Sequence, residues 1–214
     1  MMKFTPQKLV SLLVLTASLG GGLSACAPMI VGGAVMGSFV ATDRRTTGTQ
    51  VEDEGIELRS ANRLRDNLGE RAHINVTSFN RQVLLTGEAA TAKDKALAEQ
   101  VVSKVENVRS IVNEIGVAGN ASLSQRTNDT ITTGRVKAGL VDTKDLFANA
   151  FKVVTDRGTV YLMGRVTQRE ANRATDIARS TTGVSKVVRV LEIITEEELQ
   201  DLMPKPAAPV EVKK

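Results

Sequence analysis

Reactive side chains are scarce in this chain of 214 residues, and the scarcity excludes several classes of function. It has one cysteine, Cys26, one histidine, His73, and no tryptophan. A single thiol cannot close an intramolecular disulfide, so an exported fold must rest on its own core. One histidine and one cysteine do not build a common zinc site. No Ser/His/Asp order is credible around a single histidine at a strand start. We therefore expect no catalytic residue, no metal and no cofactor, and we place His73 at the surface or at a sheet edge.

Aromatic residues make up 3% of the chain and leave few platforms on which bases could stack. The sequence pI of 9.3 would suit nucleic acid. Part of that charge lies at the N-terminus, however, and without Lys3 and Lys8 the net charge falls from +4 to +2. We predict neither an enzyme nor a nucleic-acid partner.

The N-terminus has the order of a secretory signal peptide, which we place over residues 1–25. Lys3 and Lys8 flank a short polar start, an apolar stretch of 11 residues follows at Leu9–Leu19, and three glycines come next. A helix that spans a bilayer needs about 20 residues. The stretch therefore predicts a cleaved signal and not a permanent membrane helix.

The segment Leu23-Ser-Ala-Cys26 resembles the bacterial lipobox. The resemblance implies that Cys26 is alkylated by diacylglycerol and becomes the first residue of the mature protein. Several acyl chains hold a protein stably at a membrane. Ala27, by resemblance to Gram-negative lipoproteins, favours the outer membrane with the protein facing the periplasm. The alternative is a free cysteine that happens to follow a signal peptide.

Residues 26–51 are interpreted as a flexible tether, and the stretch Asp43–Glu54 as polar linker. Gly33 and Gly37 have a GxxxG spacing, which can bring helices together in a membrane. Glycines at this density also simply loosen a chain.

Two copies of one unit follow the tether. Ile74–Gly87 matches Phe151–Gly164, and Val101–Val112 matches Ile177–Val188. Alternating apolar residues predict a hairpin in each copy, and a helix period follows it. The expected fold is α+β: two tandem αββαβ sandwiches at residues 52–118 and 124–195, each a three-stranded sheet with two helices on one face. Residues 196–214 are expected to be a disordered tail.

Several segments in this order resemble the BON domain: Ile74-Asn-Val-Thr, Val83-Leu-Leu-Thr-Gly, Ser124-Gln-Arg-Thr-Asn-Asp-Thr and Val160-Tyr-Leu-Met-Gly. The whole chain is similar to the dual-BON outer-membrane lipoproteins of the division and outer-membrane stress-associated, lipid-binding kind. That resemblance implies binding of anionic phospholipid through the second domain and a part in envelope integrity.

The charge distribution favours the same domain. Residues 52–118 carry 9 basic and 11 acidic side chains, whereas residues 119–195 carry 12 and 7. Each basic side chain near an anionic surface contributes about 1 kcal/mol. We expect phosphatidylglycerol or cardiolipin as the lipid partner.

The first helix of the second unit, expected over Thr130–Val141, predicts the site. Its core stripe centres on Val136 and Leu140, and Ile131 points away from that stripe. The predicted lipid-binding residues share or flank this outward side: Ile131, Gly134, Arg135, Lys137 and Ala138. The alternative is that Ile131, in a first turn, packs back on the preceding loop.

A second hypothesis is a tethered protein–protein adaptor or chaperone-like module with no lipid recognition beyond its anchor. The acidic start of the first helix, with Asp53, Glu54 and Glu57, is the candidate surface. Its simpler interpretation is acidic charge that complements the helix dipole. Envelope or division proteins are the expected partners in that case.

Overall fold

The computed structural model describes residues 43–202. The predicted signal peptide, Cys26, the Gly33/Gly37 pair and residues 203–214 lie outside the described part.

The first unit contains α1 (Thr47–Leu68), β1 (Ala72–Phe79), β2 (Gln82–Ala89), α2 (Ala92–Val102), β3 (Ser110–Asn113) and β4 (Gly116–Val117). The second contains α3 (Leu123–Val141), β5 (Phe151–Asp156), β6 (Thr159–Thr167), α4 (Gln168–Ser180), β7 (Lys186–Ile194) and α5 (Glu196–Leu202). Single-turn 3₁₀ helices precede β1 and β5. The predicted α+β class is confirmed.

Each sheet is built on an antiparallel hairpin with a two-residue turn. Asn80 and Arg81 join β1 to β2, and Arg157 and Gly158 join β5 to β6, all four with positive φ. Such turns match the twist of the flanking strands. The last strand of each unit lies parallel to the second one, so β2 and β6 are central. In the first sheet β3 and β4 pair with successive parts of β2.

One buried aspartate from the first helix of each unit holds the hairpin turn. Asp53 accepts hydrogen bonds from the backbone N–H groups of Asn80 and Arg81, each at 2.8 Å. Asp129 accepts from those of Arg157 and Gly158, each at 2.9 Å. The backbone N–H groups of these turn residues have no partner among the hydrogen bonds between the strands, and the aspartate carboxylate accepts their hydrogen bonds instead.

Each unit has its own core between helices and sheet. Alternate residues of the central strands point into it, such as Val83 and Leu85 of β2 and Val160 and Leu162 of β6. The other faces of the two sheets pack against each other through Phe79, Leu84, Tyr161, Met163 and Val190. The helices therefore cover the outer faces, and the described chain has four layers: helices, sheet, sheet, helices.

The predicted tether and linker are wrong for residues 43–51, because the fold already begins there. The Thr46 hydroxyl accepts a hydrogen bond from the N–H of Thr49 at 3.1 Å and starts α1. Arg44 is buried, and its guanidinium makes a bidentate pair with Glu170 at 2.7 and 2.8 Å. Arg45 pairs with Asp43 and Asp53, and its guanidinium lies 4.1 Å from the centre of the Phe79 ring.

The predicted disordered tail is also wrong for its first seven residues, which form α5. The backbone N–H of Glu198 donates to the Thr195 hydroxyl, and that of Thr195 donates to the Glu198 carboxylate, so the helix has a reciprocal cap. Leu199 is buried beneath it. Between residues 43 and 202 we find no helix with the length and apolar character needed to cross a membrane.

Candidate functional site

Helix α3 is longer than the sequence analysis predicted. It begins at Leu123 and not at Thr130, because the Ser122 hydroxyl accepts a hydrogen bond from the N–H of Gln125 at 3.2 Å. Its inner stripe consists of Asp129, Thr132, Val136 and Leu140, all buried. Val136 and Leu140 are therefore core residues, as predicted.

Ile131 lies in the third turn of this helix and is 46% exposed. A residue this far along a helix cannot pack on the loop that precedes it, so the alternative interpretation of Ile131 is wrong. Gly134, Arg135, Lys137 and Ala138 are exposed as well. At about 100° per residue, Gly134, Arg135 and Ala138 fall within about 60° of Ile131. Lys137 lies about 120° from it, on the flank of this face.

Sequence reasoning missed two further apolar residues on this outward side. Leu123 is 82% exposed and Val141 is 69% exposed, at opposite ends of the helix. Both lie about 80° from Ile131, on the side of Gly134. The signal for Leu123 is Ser122-Leu-Ser-Gln125, the spacing of a capping box, which places the helix start one residue after Ser122. We name the set Leu123, Ile131, Gly134, Arg135, Ala138 and Val141 the outward face of α3.

The exposed charges within α3 on this side are basic, and exposed Asp142 follows the helix at its C-terminal end. Asp129 is the single acidic residue within α3, and its carboxylate is buried against the hairpin turn. Arg135 makes one long hydrogen bond, 3.4 Å to the carbonyl oxygen of Thr182. In the described part of the chain, neither Arg135 nor Lys137 belongs to an ion pair. Their charges therefore remain available to an external anion.

A groove of about 380 Å³ runs beside Ile131. Asn128, Arg135 and Arg157 contribute to its walls, and Gly158 and Gly183 lie between them. Gly183 has φ +99°, and a Cβ there would meet the Thr132 hydroxyl at 2.6 Å. The turn that carries Gly183 can therefore approach α3 closely only because it lacks a side chain.

The two glycines of α3 have different roles. A Cβ at Gly139 would lie 2.9 Å from Cγ2 of Ile177, so this glycine lets α4 pack closely. A Cβ at Gly134 would meet nothing within 4 Å. Gly134 has no packing reason, and it leaves the middle of the outward face flat.

The equivalent helix α1 presents a different surface. Because Asp53 and Asp129 cap their hairpins alike, Gly55 takes the place of Ile131. Val51 and Leu58 are exposed on α1, and exposed Glu54 lies between them. The exposed carboxylate of Glu54 makes α1 the less suitable surface for an anion.

His73 is half-buried on the edge strand β1, as predicted. Within residues 43–202, no group of three or more His, Cys, Asp or Glu side chains is placed to hold a metal ion. The two units and this surface thus define a class: a repeat-built α+β double domain with an apolar, basic helix face.

Comparison with known proteins identifies the family. The BON domain model matches residues 52–119 and 128–195. The chain is 35% identical over 174 residues to outer membrane lipoprotein DolP of Haemophilus influenzae, a match that covers 80% of this chain and 90% of the relative. It is 35% identical over 154 residues to the 21 kDa hemolysin of Actinobacillus pleuropneumoniae, 71% of this chain and 79% of the relative.

The solved structure of CdsD, a structural protein of the type III secretion system of Chlamydia trachomatis, aligns with 73% of this chain and 99% of its own. It is 15% identical, with a TM-score of 0.28. The chain belongs to the BON family, and it is a dual-BON lipoprotein of the outer membrane that faces the periplasm. Neither this family nor its lipoprotein relatives are enzymes.

Proposed function

We propose that the outward face of α3 binds anionic phospholipid. We also propose that residues 1–25 are cleaved off and that Cys26 then carries the lipid anchor, to which the contact of α3 adds. The observation that carries the proposal is the exposure of Leu123, Ile131 and Val141 on one helix whose only carboxylate is buried. Amphipathic helices with apolar and basic side chains bind the boundary between headgroups and acyl chains.

The energies expected of such a contact are moderate. Burial of one large aliphatic side chain stabilises binding by about 1.5–3 kcal/mol. Each basic side chain at an anionic surface adds about 1 kcal/mol, and Arg135 and Lys137 both qualify. These terms suit a reversible contact made by a protein that is already held at the membrane. We infer that the contact orients the domains on the periplasmic side and supports envelope integrity.

Vesicle flotation tests the proposal. The protein should comprise residues 43–214, because Arg44 and Arg45 belong to the fold. We expect flotation with vesicles that contain phosphatidylglycerol or cardiolipin, no flotation with purely zwitterionic vesicles, and a loss of binding as salt rises. Equal flotation with both kinds of vesicle, or none with either, would contradict recognition of anionic lipid.

A second candidate function rests on α1. Val51 and Leu58 are 64% and 65% exposed there, and they form a surface of a kind that could bind an envelope or division protein. In that case Leu58→Glu, and not Ile131→Glu, should abolish the recovery of a partner cross-linked in intact cells. The same pair of variants therefore separates the adaptor from the lipid-binding protein.

A further inference from the structure

A second cleft, of about 460 Å³, lies between the two domains and away from the outward face of α3. Strand β1 contributes His73 and Asn75, β2 contributes Glu88, and β5 contributes Thr155 and Asp156. The inner flank of α3 closes the other side. The lining is mostly polar, with Val153 and Val154 as apolar members, and two of its carboxylates come from different domains.

Glu88 is the unusual residue of this cleft. It is 2% exposed, and its Oε1 atom accepts a hydrogen bond from Nε of Arg157 at 3.1 Å. The same oxygen forms an ion pair with Nη2 of Arg157 at 3.0 Å, and that nitrogen donates its hydrogen bond to the carbonyl oxygen of Gly119. Its Oε2 atom is buried and has no hydrogen-bond partner. A buried acceptor on a charged group is energetically costly when it lacks a hydrogen-bond partner. Native proteins seldom leave one without a ligand, an ion or a water.

Asp156 places a second carboxylate next to it. Its Oδ2 atom accepts the backbone N–H of Gly87 at 3.0 Å, one residue before Glu88. Burial raises the pKa of Asp156, the Gly87 N–H partly opposes this, and the negative charges of Glu88 and Asp129 raise the pKa further. Asp129 has both oxygens occupied by turn N–H groups. The acceptor capacity that remains therefore belongs to Glu88 and Asp156.

We propose that this cleft binds a small primary amine, whose ammonium donates hydrogen bonds to Glu88 Oε2 and to Asp156. An ammonium carries three donors and one positive charge, which relieves both the unpartnered oxygen and the repulsion between the carboxylates. A divalent metal is disfavoured because the described residues hold no suitable cluster. Arg126 also lines the cleft and Arg157 already neutralises part of Glu88, so we expect one ammonium and not a polyamine.

Calorimetric titration of the full chain, in non-ionic detergent at neutral pH and without lipid, tests the proposal. Ethanolamine should bind saturably, whereas choline, which has no N–H donor, and Mg²⁺ should bind at least about ten-fold more weakly. Glu88→Gln and Asp156→Asn should each weaken ethanolamine binding by about ten-fold or more. Glu197→Gln is the control, because this exposed carboxylate of α5 lies outside the cleft.

A measurement on the unaltered chain guards against unfolding of the variants. In NMR spectra, ethanolamine should shift the amide signals of Gly87 and Thr155 in the cleft and leave those of Ile131 and Ala138 in place. Shifts confined to other regions, or equal binding of choline, would overturn the proposal. Because no lipid is present, failure here leaves the phospholipid proposal standing, and failure of vesicle flotation leaves this one standing.

Discussion

At the scale of single residues, Ile131 and Gly55 show how two copies of one fold diverge in surface chemistry. They occupy equivalent places on α3 and α1, yet only Ile131 offers an apolar side chain to an external surface. The aspartates that precede them, Asp129 and Asp53, keep the same buried structural role. The two units therefore differ in surface chemistry at exposed positions, while the capping aspartate is the same in both.

The substitution Ile131→Glu is expected to reduce flotation of residues 43–214 with anionic vesicles by about ten-fold or more. It replaces about 1.5–3 kcal/mol of apolar burial with a carboxylate that anionic headgroups repel. Leu58→Glu on α1 is the matched control, since Leu58 is 65% exposed and lies on the other domain. Both variants should keep a cooperative melt near that of the parent. If Leu58→Glu lost binding as completely, α3 would have no special role.

The direction of Ile131 could be predicted from the sequence, because the 3.6-residue period relative to Val136 and Leu140 determines it. Leu123 and Val141 could not be assigned to the same face while the helix was expected to begin at Thr130. The capping residue Ser122 determines their place. A helix start encoded by one hydroxyl is a weak signal when the following turn, Leu-Ser-Gln-Arg, has no apolar period.

At the scale of elements, α3 must pack tightly on one side and remain open on the other. Gly139 serves the first requirement through its contact with Ile177, and Gly134 lies on the open side. Glycine in a helix interior costs about 1 kcal/mol relative to alanine. Only at Gly139 does a packing contact compensate for that cost.

Gly134→Ala is therefore expected to stabilise the protein by about 0.5–1 kcal/mol, because the new methyl group meets no other atom. Gly139→Ala should lower the free energy of unfolding, since its Cβ would come within 2.9 Å of Ile177 and force α3 and α4 apart. Urea denaturation followed by circular dichroism measures both. A stabilising Gly139→Ala would show that the two helices can separate without cost.

At the scale of the whole molecule, the two sheets share an apolar interface that the sequence only partly revealed. Val160–Met163 is an unbroken apolar run, typical of a strand buried on both faces. That the covering layer is the sheet of the other domain depends on distant residues, such as Leu84 and Phe79. The pairing of Arg44 with Glu170 is equally invisible in the sequence, because 126 positions separate the partners.

The second unit alone, residues 119–202, is expected to be less stable than the same unit within the whole chain. Separation would expose Tyr161, Met163 and Val190, which are buried against the first sheet. Thermal melts should show a lower midpoint, and a dye that binds apolar surface should fluoresce more strongly with the isolated unit. Equal midpoints would mean that the interface contributes little stability.

The Arg44–Glu170 pair ties the segment that precedes α1 to the second domain, and its contribution should depend on pH. Burial acts to raise the pKa of Glu170, but hydrogen bonds from Arg44 and from the backbone N–H of Thr167 prevail and lower it below its ordinary 4.5. A lowered folded-state pKa means that the stabilisation is complete well above pH 4.5 and is lost as the pH falls through the lower folded value.

Arg44→Gln should therefore cost about 3–5 kcal/mol at pH 7, because it leaves the Glu170 carboxylate buried without its charged partner. The double variant with Glu170→Gln should recover part of that loss, since neither buried charge then remains. Glu170→Gln alone and the double variant should also lose less stability than the parent between pH 5 and pH 3, because neither contains the Glu170 carboxyl group that takes up a proton in the parent. Urea unfolding of the four proteins at each pH measures the coupling between the two residues. Strictly additive costs, or identical acid profiles, would show that the pair does not hold the N-terminal segment to the second domain.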